Sequence, residues 1–304
     1  MNIQKLWSKI FNKNKYREFK NQRTKTENKN LYDKNIKIKL DEISFVLENK
    51  NEISFLHSGH LGDIINSLPL IKEISKNKKC NLFIELNKLI PLHAQNLDHP
   101  FGKYYLSESS VKKILPLLSK QNYIKKVDIF KNQEIDINLN LFREFAINFN
   151  IDSVRWYFHI TGIQVDLSDP YLSVEPHEKI KNKIVIHRTF RHRNQFINYK
   201  FLENYNNLIF LGTKDEYEDL KQDVKNLEIY DCKDYLDMAR VIKSCKFFIG
   251  NQSVAYPMAE ALKVPRILEA EPNFPVVQPI GKNGFDFYYQ PHFEKWCKYL
   301  NNKN

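Results

Sequence analysis

Cysteine is scarce and scattered. The four in 304 residues, Cys80, Cys232, Cys245 and Cys297, share no CxxC spacing, which excludes a zinc ribbon and offers no disulfide framework. A reducing, cytoplasmic setting is the expectation. No apolar run approaches the ~18 residues of a membrane-spanning helix, and the charged N-terminus lacks the apolar core of a signal peptide. GxGxxG, HExxH, GxSxG and P-loop sequences are missing, and so is any DxD that would hold a metal-bridged diphosphate. Glycine is rarest of all: eight residues, at 59, 62, 102, 162, 212, 250, 281 and 284, where an average chain of this length has about twenty. With so few, each points to a place where the backbone needs it.

What is abundant is lysine, and it is unevenly spread. The chain carries a net charge of +11. Residues 1–40 hold twelve Lys/Arg against three acids, a net of +9, which leaves +2 for the rest. The body is thus nearly neutral, and a nucleic-acid-binding surface across it is not expected. Residues 1–35 read as a polar Lys/Asn-rich extension. Near its start "KLWSKIFNK" sets Leu6, Trp7, Ile10 and Phe11 in one apolar stripe beside Lys5, Lys9 and Lys13. That pattern reads either as a tail without order or as a basic amphipathic helix, residues 1–20, able to lie on an anionic membrane. In the second case the protein sits at the inner membrane face.

From residue 36 the pattern becomes regular. "IKIKL", "ISFVLE" and "EISFL" look like strands, the last two pairing as a hairpin over Asn49–Asn51. A glycine turn, "HSGHLGD", follows and opens a helix carrying Ile64, Ile65, Leu68, Ile71 and Ile74. Residues 81–86 and 126–130 read as strands, 108–120 as a helix, and two more helices are expected over 140–149 and 152–161, the second closing at Gly162. Residues 166–183, polar and with two prolines, form a linker. From 184 strands and helices alternate, which implies a parallel sheet with covering helices. The expected architecture is α/β: two Rossmann-like parallel-sheet domains, 36–165 and 184–290, facing a central cleft, with a C-terminal helix over 291–304.

In open parallel sheets ligands bind beyond the carboxyl ends of the strands. Three turns there have unusual composition. The first contains His57, Ser58, Gly59, His60, Gly62 and Asp63. Its N–H groups are expected to face the cleft, with Asp63 at or beside the helix cap. The second, "GNQS", ends an apolar strand at Gly250 and presents Asn251, Gln252 and Ser253 at a helix start suited to an anion. Glu260, seven residues further, is placed two turns along on roughly the same face, where it could accept hydrogen bonds from ribose. The third, "HRTFRHRN", offers Arg188, Arg191 and Arg193 as a phosphate-binding cluster. Gly212 and Thr213 mark a weaker fourth.

Two of these stretches carry a resemblance. "HLGDIINSLPLI" (60–71) and "IGNQSVAYPMAEALKVP" (249–265) resemble, in order, the two signature segments of glycosyltransferase family 9, the heptosyltransferase-type enzymes; the likeness spans roughly 50–290. It implies a GT-B fold and inverting, metal-independent transfer from a nucleotide-diphospho-sugar, with no separate cofactor. The acceptor would be a hydroxyl of a cell-surface glycan or lipopolysaccharide-type molecule. It also implies that Asp63 is the catalytic base, with His57, Ser58 and His60 on the acceptor side. The donor and its phosphates would fall to Gly62, Arg188, Arg191, Arg193, Gly212, Thr213, Asn251, Gln252, Ser253 and Glu260. Gln252, Val254 and Pro257 stand where the family has Asp, Gly and His, and Asn194 falls near its phosphate-holding lysine. Two other readings share the fold: a catalytically idle GT-B binding or scaffold protein, and a nucleotide-sugar epimerase.

Overall fold

The computed structural model describes residues 7, 9–91, 102–145, 147, 150–273 and 276–303. Its first element is not a tail. Residues 7 and 9–11 are helical, and helix α1 runs from Lys13 to Leu31, capped by the Asn12 side chain on Lys15 N. One π-helical turn (Tyr32–Ile36) joins it to α2, Lys37–Asn49. The strands and hairpin expected over 36–51 are therefore helix. Period-2 alternation in "IKIKL" coexists with a second pattern: Ile36, Leu40, Ile43 and Leu47 recur at helical spacing. Ile36 and Ile43 are buried and Leu40 and Leu47 pack against the same core, so burial of that stripe decides the outcome.

The N-terminal sheet follows. Strand β1 (Glu52–His57) leads through the glycine turn into α3 (Leu61–Ile74), then come β2 (Lys79–Ile84), α4 (Glu108–Ser119), β3 (Lys126–Ile129) and β4 (Ile137–Asn138). All pairings are parallel, in the order β3-β2-β1-β4. The helix expected over 140–149 is a 3₁₀ turn, Leu139–Arg143; residues 146, 148 and 149 lie outside the described ones. Helix α5, Val154–Thr161, ends at Gly162 in the left-handed conformation (φ 73°) that such a cap requires.

The second sheet contains β5 (Ile184–His187), β6 (Leu208–Phe210), β7 (Glu228–Ile229), β8 (Phe247–Asn251), β9 (Arg266–Glu269) and β10 (Gly284–Phe287). Their order is β10-β9-β8-β5-β6-β7, again all parallel. Its helices are α6 (Lys214–Asp223), α7 (Tyr235–Lys243), α8 (Ala255–Leu262) and the C-terminal α9 (Gln290–Asn302). Between β5 and β6 the expected helix is only a 3₁₀ turn, Lys200–Asn204.

The two sheets share one continuous apolar core. Helix α3 packs on α8 and α4 on α7. A Cβ built on Gly62 would lie 3.5 Å from the Pro257 ring. The linker is extended and held down, with the Tyr171 and Leu172 N–H groups donating to Ala261 O. In each sheet the strand order reverses at one point: between β1 and β4 in the first, between β5 and β8 in the second. Those reversals are where a crevice opens at the strand ends. His57 ends β1, His187 ends β5 and Asn251 ends β8, so the sequence motifs fall on both switch points. No helix among the described residues is long and apolar enough to cross a membrane.

Candidate active site

On the N-terminal side the β1–α3 turn is wired from within. Gly59 N–H donates to His57 Nδ1 (3.0 Å), Ser58 N–H to Asn140 Oδ1 (2.9 Å) and His60 N–H to Asp63 Oδ2 (3.2 Å). These three donors are thus engaged inside the domain rather than offered to an anion, which corrects the expectation for this turn. His60 is the N-cap of α3 and Asp63 sits at its third position. The His57 tautomer follows from its partners. Nδ1 accepts from Gly59, so Nε2 carries the proton and donates to Tyr157 Oη (2.9 Å), which in turn donates to Asp63 O (2.8 Å). Burial above all holds His57 neutral, with its pKa pushed down to about 3.

Asp63 meets a residue that sequence reasoning missed. Arg143 Nη2 lies 2.9 Å from Asp63 Oδ2. Its guanidinium sits 4.1 Å from the Phe142 ring centroid and 4.6 Å from that of Tyr105, and Nη1 donates to Asn140 Oδ1 (3.4 Å). Beside β1, the β4 end brings Arg143 across 80 residues of sequence; nothing near "NLFREF" signals that role. The side chains of Arg143 and Asp63 are 22% and 16% exposed, so the pair is screened yet reachable. Both contacts on Asp63 fall on Oδ2, which leaves Oδ1 as the oxygen open to a hydroxyl. Gly59 is needed here: a Cβ would stand 2.8 Å from Asp63 Oδ2, 2.8 Å from His57 Cε1 and 3.0 Å from Arg143 Nη2.

On the C-terminal side most polar groups are consumed by architecture. Glu269, fully buried at the end of β9, accepts four hydrogen bonds: from Arg188 Nε (2.8 Å) and Nη2 (2.9 Å), Asn194 N–H (2.8 Å) and Tyr199 Oη (2.8 Å). Arg188 is thus part of the core. Asn194 is likewise a buried pin, donating to Ala270 O and Tyr288 O. Arg193 pairs with Asp219 (2.7 Å) and covers the Phe190 ring. The Asn251 side chain accepts from Thr189 N–H and donates to Thr189 O and Arg191 O, which fixes the loop after β5. The buried carboxylate of Glu260 is held by Lys263 and Arg266. Thr213 is an α6 cap in a reciprocal box with Glu216, and Gly212 precedes it. Each of these side chains is thus engaged within its own domain.

Arg191, Gln252 and Ser253 lie on the turns that follow β5 and β8. Among the described residues Arg191 has no carboxylate at salt-bridge distance, and burial holds its guanidinium below the ordinary value. It stands close enough to the other domain to act on His60, whose pKa is pushed down to about 3 by burial first and by the charges of Arg143 and Arg191 after it. Ser253 is fixed by His187. That imidazole gives Nδ1–H to Leu211 O (2.6 Å), so Nε2 accepts the Ser253 hydroxyl proton (2.9 Å). Ser253 then presents lone pairs to the cleft, which suits a sugar hydroxyl better than a phosphate. Gln252, buried in the same turn, completes the set.

No family model matches this sequence, and no curated protein matches it. Solved structures do. The glycosyl transferase family 9 protein from Veillonella parvula DSM 2008 superposes with a TM-score of 0.54 at 12% identity, over 86% of this chain and 91% of that one. E. coli heptosyltransferase WaaC with ADP gives 0.57 at 10% identity, over 82% and 99%. E. coli ADP-heptose lps heptosyltransferase II gives 0.53 at 11%, over 82% and 98%. At these identities the likeness establishes the fold: two parallel-sheet α/β domains in the GT-B arrangement of family 9 glycosyltransferases.

Proposed function

We propose that this protein is a glycosyltransferase moving a sugar from a nucleotide-diphospho-sugar to a hydroxyl of a glycan acceptor, with inversion and without a metal ion. The observation that carries the reading is the Asp63 carboxylate. It lies at the β1 switch point and faces the other domain, with one oxygen fixed by Arg143 and the His60 N–H and the other open. The fold shared with heptosyltransferases, one of them solved with ADP, supports the donor class.

In this reading the acceptor hydroxyl oxygen attacks the anomeric carbon from the face opposite the diphosphate. Its proton passes to Asp63 Oδ1 as the new C–O bond forms. The bond from the anomeric carbon to the diphosphate oxygen breaks, and its electron pair leaves with the diphosphate. Arg191 meets that charge, while Ser253 Oγ accepts a donor hydroxyl. Arg143 acts as a positioning residue that keeps Asp63 aimed.

The test is transfer from a panel of nucleotide sugars to glycan extracts, by the wild type and by Asp63→Asn. The expected result is a product of inverted anomeric configuration, formed at least about 100-fold more slowly by the variant. Undiminished transfer by Asp63→Asn would remove Asp63 as the base. Nucleotide binding with no transfer would favour the idle scaffold, and an altered nucleotide sugar without acceptor would favour the epimerase.

A further inference from the structure

Helix α1 has no buried residue along its 19-residue length. At 1.5 Å per residue it spans about 28 Å; Leu31 at its end packs against the core, in which Ile36 and Ile43 beyond it are buried. Residues 7–31 carry eight Lys/Arg (9, 13, 15, 17, 20, 23, 25, 29) against Glu18 and Glu27, a net of +6. The helical segment that precedes its Asn12 cap is the opposite in character. Trp7, Ile10 and Phe11 stand at i, i+3 and i+4 and are 65%, 66% and 66% exposed. The Trp7 and Phe11 rings lie 4.9 Å apart. A stable fold gains nothing from displaying a Trp, an Ile and a Phe on one face of an unpacked helix; the arrangement makes physical sense only with a partner covering it.

We propose that this arm docks the protein on an anionic lipid membrane. The apolar tip enters the boundary between headgroups and acyl chains, and the basic shaft lies against the anionic headgroups. Both halves of the arm are used this way. A nucleic acid would engage the lysines and leave the Trp7–Ile10–Phe11 face in water. A second copy would cover the tip but would bring two arms of +6 together.

The base of the arm also fixes where the membrane lies. Lys39 on α2 is ion-paired with Glu144, the neighbour of Arg143, and α2 packs on α5, which holds Tyr157. The arm is therefore rooted on the acceptor side of the cleft, beside the Asp63–Arg143 pair. Its docking turns that side toward the lipid surface.

The test is flotation of the full chain with vesicles. Wild type should rise with phosphatidylcholine vesicles containing about a quarter phosphatidylglycerol and stay behind with phosphatidylcholine alone. Trp7→Ala/Phe11→Ala should weaken partitioning at least about ten-fold with no change in the thermal midpoint, since both side chains are exposed. A blue shift of emission on adding anionic vesicles, lost in Trp7→Phe, should report entry of the tip. Equal flotation of wild type and double variant would overturn the proposal, as would flotation indifferent to anionic lipid. Tighter binding to duplex RNA than to the vesicles, or self-association abolished by the double substitution, would also overturn it. None of these readouts depends on sugar transfer, so the membrane proposal and the catalytic one fail separately.

Discussion

The two switch points of this molecule use charge in opposite ways. Beyond the ends of β5 and β9 charged groups close on one another, Arg188 on Glu269 and Arg193 on Asp219, and at the end of α8 Glu260 is closed by Lys263 and Arg266. At the end of β1 a single pair, Asp63 and Arg143, is left at the rim with one carboxylate oxygen unspent. Both turns look alike in sequence, each a run of small polar residues between an apolar strand and a helix. The difference shows that a polar turn after a strand is evidence of a crevice, not of which side chains face it. A charge whose partners complete its hydrogen bonding is scaffold, and a charge held by one side only is available for chemistry.

That contrast breaks or sharpens under substitution. The largest effect is expected at Glu269→Ala, which strands the Arg188 guanidinium in the core and removes the acceptor of the Asn194 N–H and the Tyr199 hydroxyl. Chemical denaturation should register a loss of about 3–5 kcal/mol; a stable variant with weakened donor binding would mean the C-terminal charges are not scaffold. Next is Asp63→Asn, where the rate of transfer should fall by about 10²–10⁴ while the denaturation midpoint hardly moves. A large stability loss with little kinetic change would place Asp63 among the scaffold charges.

A smaller effect concerns acid. His57 titrates near 6.5 when unfolded but at about 3 in the fold, because burial disfavours its cation. Below pH 6.5 the unfolded chain takes up a proton that the native state refuses. The stability conferred by neutral His57 is thus full above 6.5 and is lost as pH falls toward 3. At pH 5 the loss amounts to about 2 kcal/mol. His57→Gln, measured by denaturation from pH 7 to 5, should show a flatter profile than wild type; an identical slope would contradict this. The mildest effect is expected for Arg191→Ala, a rise of about ten-fold in donor KM with kcat less affected. An unchanged KM would return Arg191 to the scaffold.

Much of the frame was legible because strong local signals agree with the fold. The apolar runs of β5, β6, β8 and β9 alternate with segments of helical period, and Gly162 follows a helix that ends there. The turn at Gly59–Asp63 was legible as a place but not as a mechanism. Its chemistry depends on Arg143, which only the pairing of β4 with β1 brings within reach. The surroundings of Arg188 and Arg193 were hidden for the same reason: their partners, Glu269 and Asp219, lie 81 and 26 residues away. Over 36–51 two periodicities coexist in one stretch, and only the core onto which Ile36 and Ile43 fold selects between them.

Gly59 acts as a spacer of minimum thickness. Its hydrogen stands where any heavier atom would press on a carboxylate oxygen, an imidazole carbon and a guanidinium nitrogen together. The gap between Asp63 and Arg143 is thus gauged by the smallest unit a chain can place there. One added methyl group would press on both members of the pair with every functional group still present. Gly59→Ala is in that sense a switch for the charge pair, set in the backbone rather than in any side chain that carries charge.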